Sequence, residues 1–353
     1  MNNSERNPIT DYFKDISPLA MQLVAYIPSA IILSLGIITN ITILVSLIKK
    51  GLHNVRDLFF YLVTSLVIYD IVLLVLYWPL ALVRKSIPWP FGSFLCYFFN
   101  LLPVLCNAGP SLTVVAMAIH QYRVIVKSAN PSPSTTRKRI ILAAIFFTAL
   151  AATFPDLVFT AYTYAYGLFI GPVAYYDDAV RVCFVYIGRH YSNFQDPYHI
   201  YCISLYVTLY VIPLIIVVIL YYQIKRNIKI DDTATNSAIT VTYGDITIHK
   251  KWAKMTLILM ITLLLFWTPE YIFYFVYNFG YLRYSLGYYR RYQITYLICQ
   301  LITVSKCIAN PVIYAHFFPE CKQSLRSIFT CSYIKRKSDQ PDMINLSLSE
   351  NKI

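Results

Sequence analysis

Between Cys96 and Ile119 the chain runs for about 24 mostly apolar residues, and no Asp, Glu, Lys or Arg interrupts it until Arg123. An α-helix rises 1.5 Å per residue and a bilayer's hydrocarbon core is about 30 Å thick, so a stretch of this kind crosses a membrane as a helix. Comparable windows recur at Gln22 to Ile48, Asp57 to Val83, Ser93 to Arg123, Arg139 to Tyr162, His199 to Ile224, Trp252 to Asn278 and Gln293 to His316. The expected fold is therefore an all-α membrane protein, a bundle of seven transmembrane helices over residues 22–316. Composition agrees. Of 353 residues, 58% are hydrophobic and only 13% charged, and the mean hydropathy is +0.54. Soluble domains carry about a quarter charged residues.

An odd number of spans puts the two chain ends on opposite sides of the membrane. Lys and Arg gather in cytoplasmic loops. Twenty of the basic residues lie on the side of the C-terminus, nine lie on the other side, and Lys306 sits within a span. The expected topology has residues 1–21 outside the cell and the tail inside, in a multi-pass plasma-membrane protein. The net charge of +13 then reflects orientation and attraction to anionic inner-leaflet lipid, and no nucleic-acid partner is expected. The first 20 residues lack the apolar core of a signal peptide, so the first span serves as the targeting signal. Asn2 begins an outer-side glycosylation sequon.

Most of the eight cysteines fall inside spans or at the inner face. Cys96 and Cys183 both lie on the oxidising side and can pair, which would draw the Tyr162 to Tyr198 loop across the mouth of the bundle; Cys202, at the lip of span five, competes for the same role.

Several short motifs fall in order on these spans. They are Gly36 to Asn40 in span one, Leu66 to Asp70 in span two, Trp89-Pro90-Phe91-Gly92 ahead of Cys96, and Tyr122-Arg123-Val124-Ile125-Val126 after span three. Pro213 with Tyr221, Phe266-Trp267-Thr268-Pro269, and Asn310-Pro311-Val312-Ile313-Tyr314 follow in spans five, six and seven. Together they resemble the motifs of rhodopsin-like (class A) G-protein-coupled receptors, and the resemblance covers residues 22–331. The lead into Cys96 and the segment after span three are most similar to the neuropeptide branch. The resemblance implies an extracellular peptide ligand and, as cytoplasmic partners, a heterotrimeric G protein and arrestin. No cofactor, metal or enzymatic activity is implied. The alternatives are a divergent chemosensory receptor for an environmental small molecule and a receptor with weak or arrestin-biased coupling.

Three ionisable residues stand within the apolar spans, Asp70, Glu270 and Lys306, where each costs roughly 2.5 to 3.5 kcal/mol to insert. In the family the acid matching Asp70 helps hold a sodium ion with a serine of span three. Here the serine's position is Pro110, and Lys306 lies four residues before Asn310. The expectation is that Lys306 pairs with Asp70 and replaces the ion. Glu270 lies three residues beyond Trp267, roughly 4.5 Å nearer the outer mouth on much the same face. It is the expected partner of a ligand guanidinium or ammonium, and Trp267, Asn107, Gln300, Tyr274 and Tyr296 complete the candidate ligand-binding set. Tyr175, Tyr176, Asp177 and Asp178 and the loop residues Tyr281, Arg283, Tyr288, Tyr289, Arg290 and Arg291 are further outer-surface candidates. Receptors for biogenic amines carry an aspartate where this chain has Pro103, and opsins carry the retinal lysine where it has Val304.

Prolines 213, 269 and 311 mark bends. Pro269, Asn310, Pro311, Tyr314 and Tyr221 join Asp70 and Lys306 as the expected switch residues. The inner end of span three departs from the family's Asp-Arg-Tyr triplet, reading His120-Gln121-Tyr122. The arginine that contacts the G protein is replaced by an uncharged amide. Beyond the bundle, residues 317–331 show the apolar spacing of a membrane-surface helix, with Phe318, Cys321, Leu325, Ile328 and Phe329 on one face and Cys331 as a candidate lipidation site. The tail 332–353 and the Asp231 to Ile248 loop read as flexible.

Overall fold

The computed structural model describes residues 18–53, 58–129, 133–165, 168–170, 174–176, 180–185, 197–232, 240–279 and 286–329. Asn2, Cys331, Asp177, Asp178, Tyr281 and Arg283 lie outside them, and the side chains of Tyr175, Tyr176, Tyr274 and residues 288–291 are likewise not described. The described residues hold seven helices long and apolar enough to cross a membrane. They are span one (Tyr26–Lys49), two (Leu58–Ser86), three (Gly92–Val126), four (Thr135–Phe159), five (Ile200–Asn227), six (Ile248–Phe273) and seven (Ile294–Phe317). A further helix, Pro319–Phe329, follows span seven. It buries Phe318 and Cys321 against the bundle while Lys322 and Arg326 stay exposed, as an amphipathic surface helix does.

The distribution of polarity is the reverse of a soluble protein's. Phe147, Leu265 and Val312 are more than 60% exposed on the outer surface, whereas Asn40, Asp70, Asn107, Gln121, Lys306 and Asn310 are buried. Apolar side chains meet lipid and polar ones meet each other, because hydrocarbon cannot satisfy a hydrogen-bonding group. Span three is the hub, packing against spans two, four, five and six and against the outer hairpin.

Proline decides where the helices depart from regularity. Two π-turns, Leu73–Tyr77 in span two and Val207–Val211 in span five, each end just before a proline, Pro79 and Pro213. A proline lacks the N–H that would bond the carbonyl four residues back and its ring crowds that carbonyl, so a widened turn relieves the clash. The orphaned carbonyl then needs a donor. For Pro213 it is that of Leu209, and Ser111 Oγ of span three donates to it. For Pro311 it is that of Cys307, and Asn40 Nδ2 of span one donates at 2.7 Å. Beside Pro269, Thr303 Oγ1 of span seven reaches the carbonyl of Phe266 at 3.1 Å.

The segment between spans four and five is not helical. β1 (Thr160–Ala165) pairs antiparallel with β4 (Val180–Val185), placing Tyr162 opposite Cys183, and β2 (Leu168–Ile170) pairs with β3 (Ala174–Tyr176). Period-2 apolar signals in a segment this tyrosine-rich are hard to separate from the adjoining spans, so the strands were not legible in the sequence. Cys96 and Cys183 form the disulfide, with an S–S distance of 2.11 Å, and Cys202 stands outside it, buried in span five. The Trp-Pro-Phe-Gly lead seats the hairpin. Trp89 N–H donates to the Arg181 carbonyl at 3.0 Å, and its indole Nε1 donates to the Gly92 carbonyl at 2.8 Å. Gly92 has φ +74°, which only glycine adopts without strain. At the opposite end, the helix of span six begins at Thr240, so part of the loop expected to be flexible extends that helix by two turns.

Spans two and three touch most closely where Gly109 meets Tyr69. A Cβ on Gly109 would lie 2.2 Å from Tyr69 Cζ. Gly109→Ala is expected to lower the thermal stability of the solubilised protein by about 1–3 kcal/mol, the usual cost of overpacking. Adding Tyr69→Leu should recover part of that loss, as measured by thermal unfolding.

Candidate functional site

Two clusters of buried polar groups lie along the bundle axis, with an aromatic contact below them. The first, at the disulfide-bearing end, is a cavity of about 170 Å³. It is walled by the ends of five spans: Arg84 of span two, Asn100 and Asn107 of span three, Asp156 of span four, Tyr201 of span five, and Trp267, Glu270 and Tyr271 of span six. Tyr296 of span seven closes the remaining side. The volume is smaller than the roughly 300–1,000 Å³ of a drug-sized site.

Span two extends past Val83, where the apolar run stops, to Ser86, and this brings Arg84 and Lys85 into the bundle. Arg84 donates to Asn100 Oδ1 at 3.3 Å, with its guanidinium 4.7 Å above the Phe99 ring. Asn100 in turn donates to Cys183 Sγ at 3.6 Å, so the cavity wall is joined to the disulfide. Lys85 Nζ donates to Gln300 Oε1 and stands 4.9 Å from the centre of the Tyr296 ring. Gln300 Nε2 then donates to Glu270 Oε1 at 3.3 Å. Gln300 is thus a bridge between Lys85 and Glu270 rather than a residue lining the cavity. Asn107 joins two tyrosines, accepting from Tyr210 Oη at its Oδ1 and donating to Tyr271 Oη at 3.4 Å. Tyr206, Tyr210 and Tyr271 pack with ring centres 5.1 to 5.6 Å apart. Trp267 is 5% exposed, and its indole nitrogen has no hydrogen-bond partner among the described residues.

Arg84, Lys85 and His249 are not singled out in the sequence, and neither is Asp156. Asp156 is 4% exposed and accepts from Tyr201 Oη at 2.9 Å. It stands after Pro155 within the fourth apolar run, Arg139 to Tyr162, where no motif singles it out. The helix Phe154–Phe159 carries it inward.

The second cluster lies midway. Lys306 Nζ is 3.1 Å from Asp70 Oδ1, and both side chains are 1% exposed. Asn310 Nδ2 donates to Asp70 Oδ2 at 2.7 Å and Cys307 Sγ reaches Oδ1 at 3.5 Å. The ammonium stands beside the carboxylate where the family resemblance implies sodium, and Pro110 offers no hydroxyl. Tyr314, wholly buried, has a hydroxyl with no partner among the described residues.

The contact at the far end joins spans three and six. His249 Nδ1 donates to Gln121 Oε1 at 2.7 Å, and Gln121 Nε2 has no partner among the described residues. The His249 ring meets Trp252 edge-on at 4.9 Å; Trp252 stacks on Phe59 at 4.7 Å and meets Phe60 edge-on at 5.3 Å. His120 is buried, Tyr122 and Tyr221 are half-buried, and Arg123 is exposed.

Seven lipid-facing helices around a polar axis, with a cavity beside a disulfide-tied hairpin and a helix–helix contact at the opposite end, define a multi-pass membrane protein of receptor architecture. The family model described as "7 transmembrane receptor (rhodopsin family)" matches residues 39–314, and the chain belongs to that family. Among curated relatives it is 25% identical over 243 residues to the substance-K receptor of Canis lupus familiaris, covering 69% of this chain and 59% of that protein. It is 22% identical over 249 residues to the substance-P receptor of Homo sapiens, covering 69% and 55%. The match therefore spans less than two thirds of these relatives' length.

Removing one member of a buried ion pair strands the other. Lys306→Met is expected to destabilise the folded protein by roughly 3–5 kcal/mol. The double variant Asp70→Asn with Lys306→Met should recover most of this, since it leaves no uncompensated charge. Thermal unfolding in one detergent, compared across the variants, measures both.

Proposed function

We propose that this protein is a plasma-membrane receptor for a peptide ligand of the neuropeptide type, with its N-terminus outside the cell, and that it transmits ligand binding to a heterotrimeric G protein. The observation that carries this reading is the cavity at the disulfide-bearing end, which combines buried charge, a tyrosine wall and Trp267 one turn below Glu270. The names of the relatives, receptors for substance K and substance P, support a peptide, and the cavity's size suits the end of one. In this reading Trp267, Glu270, Asn107 and Tyr296 face the ligand, and Gln300 orients Glu270 from behind. Movement of Trp267 bends span six at Pro269 and is felt at the inner end of that helix.

There the Gln121 to His249 hydrogen bond takes the place of contacts that an arginine would make. It holds span six against span three in the resting state. Breaking it releases the inner end of span six, exposing the surface on which a G protein docks. Lys306 serves as a built-in counter-ion for Asp70, and its ammonium fills the place of a sodium ion.

Three measurements test this. In cells expressing the receptor, a library of peptides and small odorant-like molecules is screened with G-protein and arrestin reporters. A peptide agonist is expected, and response only to small apolar molecules would overturn the reading. Gln121→Leu, which keeps the volume but removes the acceptor, is expected to raise agonist-free signalling several-fold at equal surface expression. Exchanging sodium for choline at constant ionic strength should leave agonist potency unchanged; a sodium dependence abolished by Asp70→Asn would show that Lys306 does not occupy the site.

A further inference from the structure

Two carboxylates line the cavity, and their surroundings differ. Glu270 accepts from Gln300, which in turn accepts from Lys85, so an ammonium stands two hydrogen bonds behind it in the wall formed by spans two, six and seven. Asp156 stands on the wall formed by spans four and five. The only described hydrogen bond of its side chain comes from the Tyr201 hydroxyl at 2.9 Å, on Oδ2, and that hydroxyl is shared with the Ala152 carbonyl at the same distance. Oδ1 has no hydrogen-bond partner among the described residues, and none of their cationic side chains lies within salt-bridge distance of either oxygen. Even so, the side chain is only 4% exposed and its accessible edge faces the cavity. Burying an ionised carboxylate with one neutral donor is unfavourable, and a cation that pairs with it offsets that cost.

The other charges facing the cavity direct a cation to the same place. Arg84 lines the opposite wall, where it is engaged by Asn100 and the Phe99 ring, and Lys85 lies behind Gln300. A ligand cation is repelled from that side and meets Asp156 on the other. Tyr201 and Tyr271 line the cavity as well, and aromatic rings favour a nearby cation.

We propose that Asp156 is the anchor for a cationic group on the ligand, a guanidinium or ammonium at the end that enters the cavity, with Tyr201 holding the carboxylate in place. This rests on reading the cavity as the ligand site and gives that ligand a basic terminus. A guanidinium presents two parallel N–H donors, one to the vacant Oδ1 and one to the second lone pair of Oδ2, so the Tyr201 bond need not break. Asp156 is thereby the specificity-determining carboxylate, and Glu270 contributes to the cavity without discriminating charge.

The test uses the full-length protein in lipid nanodiscs and two probes matched in size, Nα-acetyl-arginine amide and its neutral isostere Nα-acetyl-citrulline amide. Half-saturation is read from the rise in melting temperature. The arginine probe is expected to half-saturate at a concentration roughly tenfold or more lower than the citrulline probe, the scale of one charge-assisted hydrogen bond over a neutral one. Asp156→Asn, which keeps an acceptor for Tyr201, should erase the preference, and Asp156→Glu should restore much of it. Asp156→Ser serves in parallel should the amide not be tolerated. Glu270→Gln should weaken both probes alike and keep their ratio. Equal binding by the unmodified protein, a preference that survives Asp156→Asn, or one lost only in Glu270→Gln would overturn the assignment. A peptide agonist whose potency ignores Asp156 would leave the receptor reading standing and remove this one. An Asp156-dependent preference without any peptide agonist would do the reverse.

Discussion

A proline in a membrane-spanning helix leaves a carbonyl with no intrahelical donor and no water to replace it, and in this protein the repair comes from the neighbouring helix. Pro213 frees Leu209, which Ser111 satisfies, and Pro311 frees Cys307, which Asn40 satisfies. The carbonyl of Phe266 beside Pro269 is met by Thr303. The repairs join spans one to seven and three to five, and the Thr303 contact beside Pro269 joins spans six to seven. The bends that shape the cavity and the contacts that hold the bundle are therefore the same interactions. Helices that would otherwise slide past one another in an apolar solvent are fixed at the points where their own hydrogen bonding fails.

The same scarcity of water governs the charges. Lys306 and Asp70 are both buried, and Asn310 and Cys307 add contacts to the carboxylate. The chain's own ammonium stands beside this carboxylate at the centre of the bundle. The cavity above is arranged differently. Its basic residues stand on one wall with Glu270 nearby, while Asp156 stands on another with a tyrosine hydroxyl. The midplane is thus charge-balanced by its own side chains, whereas the cavity is polarised across its width. A structural element tolerates the first arrangement, and the second is suited to a ligand that carries charge of its own.

At the far end, the substitution of glutamine for the family's arginine changes the kind of contact rather than removing it. Gln121 remains buried and accepts from His249, itself packed on Trp252 and through it on Phe59 and Phe60. A neutral hydrogen bond of this kind is short-ranged and directional, whereas an ion pair acts at a distance. The helix contact is accordingly carried by aromatic packing around the bond as much as by the bond itself.

Hydrophobic run length by itself determined the seven spans, and motif order placed Asp70, Trp267, Glu270 and Asn310 on them. Hydrocarbon thickness and the cost of unpaired backbone groups leave one solution for such runs, so length alone sufficed. What tertiary structure decided is which polar groups meet. Run length ended span two at Val83, because a charged residue closes an apolar window whether or not the helix continues, and it carried span four past Asp156 without showing which way that acid faces. Only the folded bundle shows that Arg84, Lys85 and Asp156 turn inward, that Gln300 stands behind Glu270, and that His249 finds Gln121 across 128 positions of sequence. Such pairings depend on how helices are rotated and set against one another, and a local pattern carries no record of that geometry.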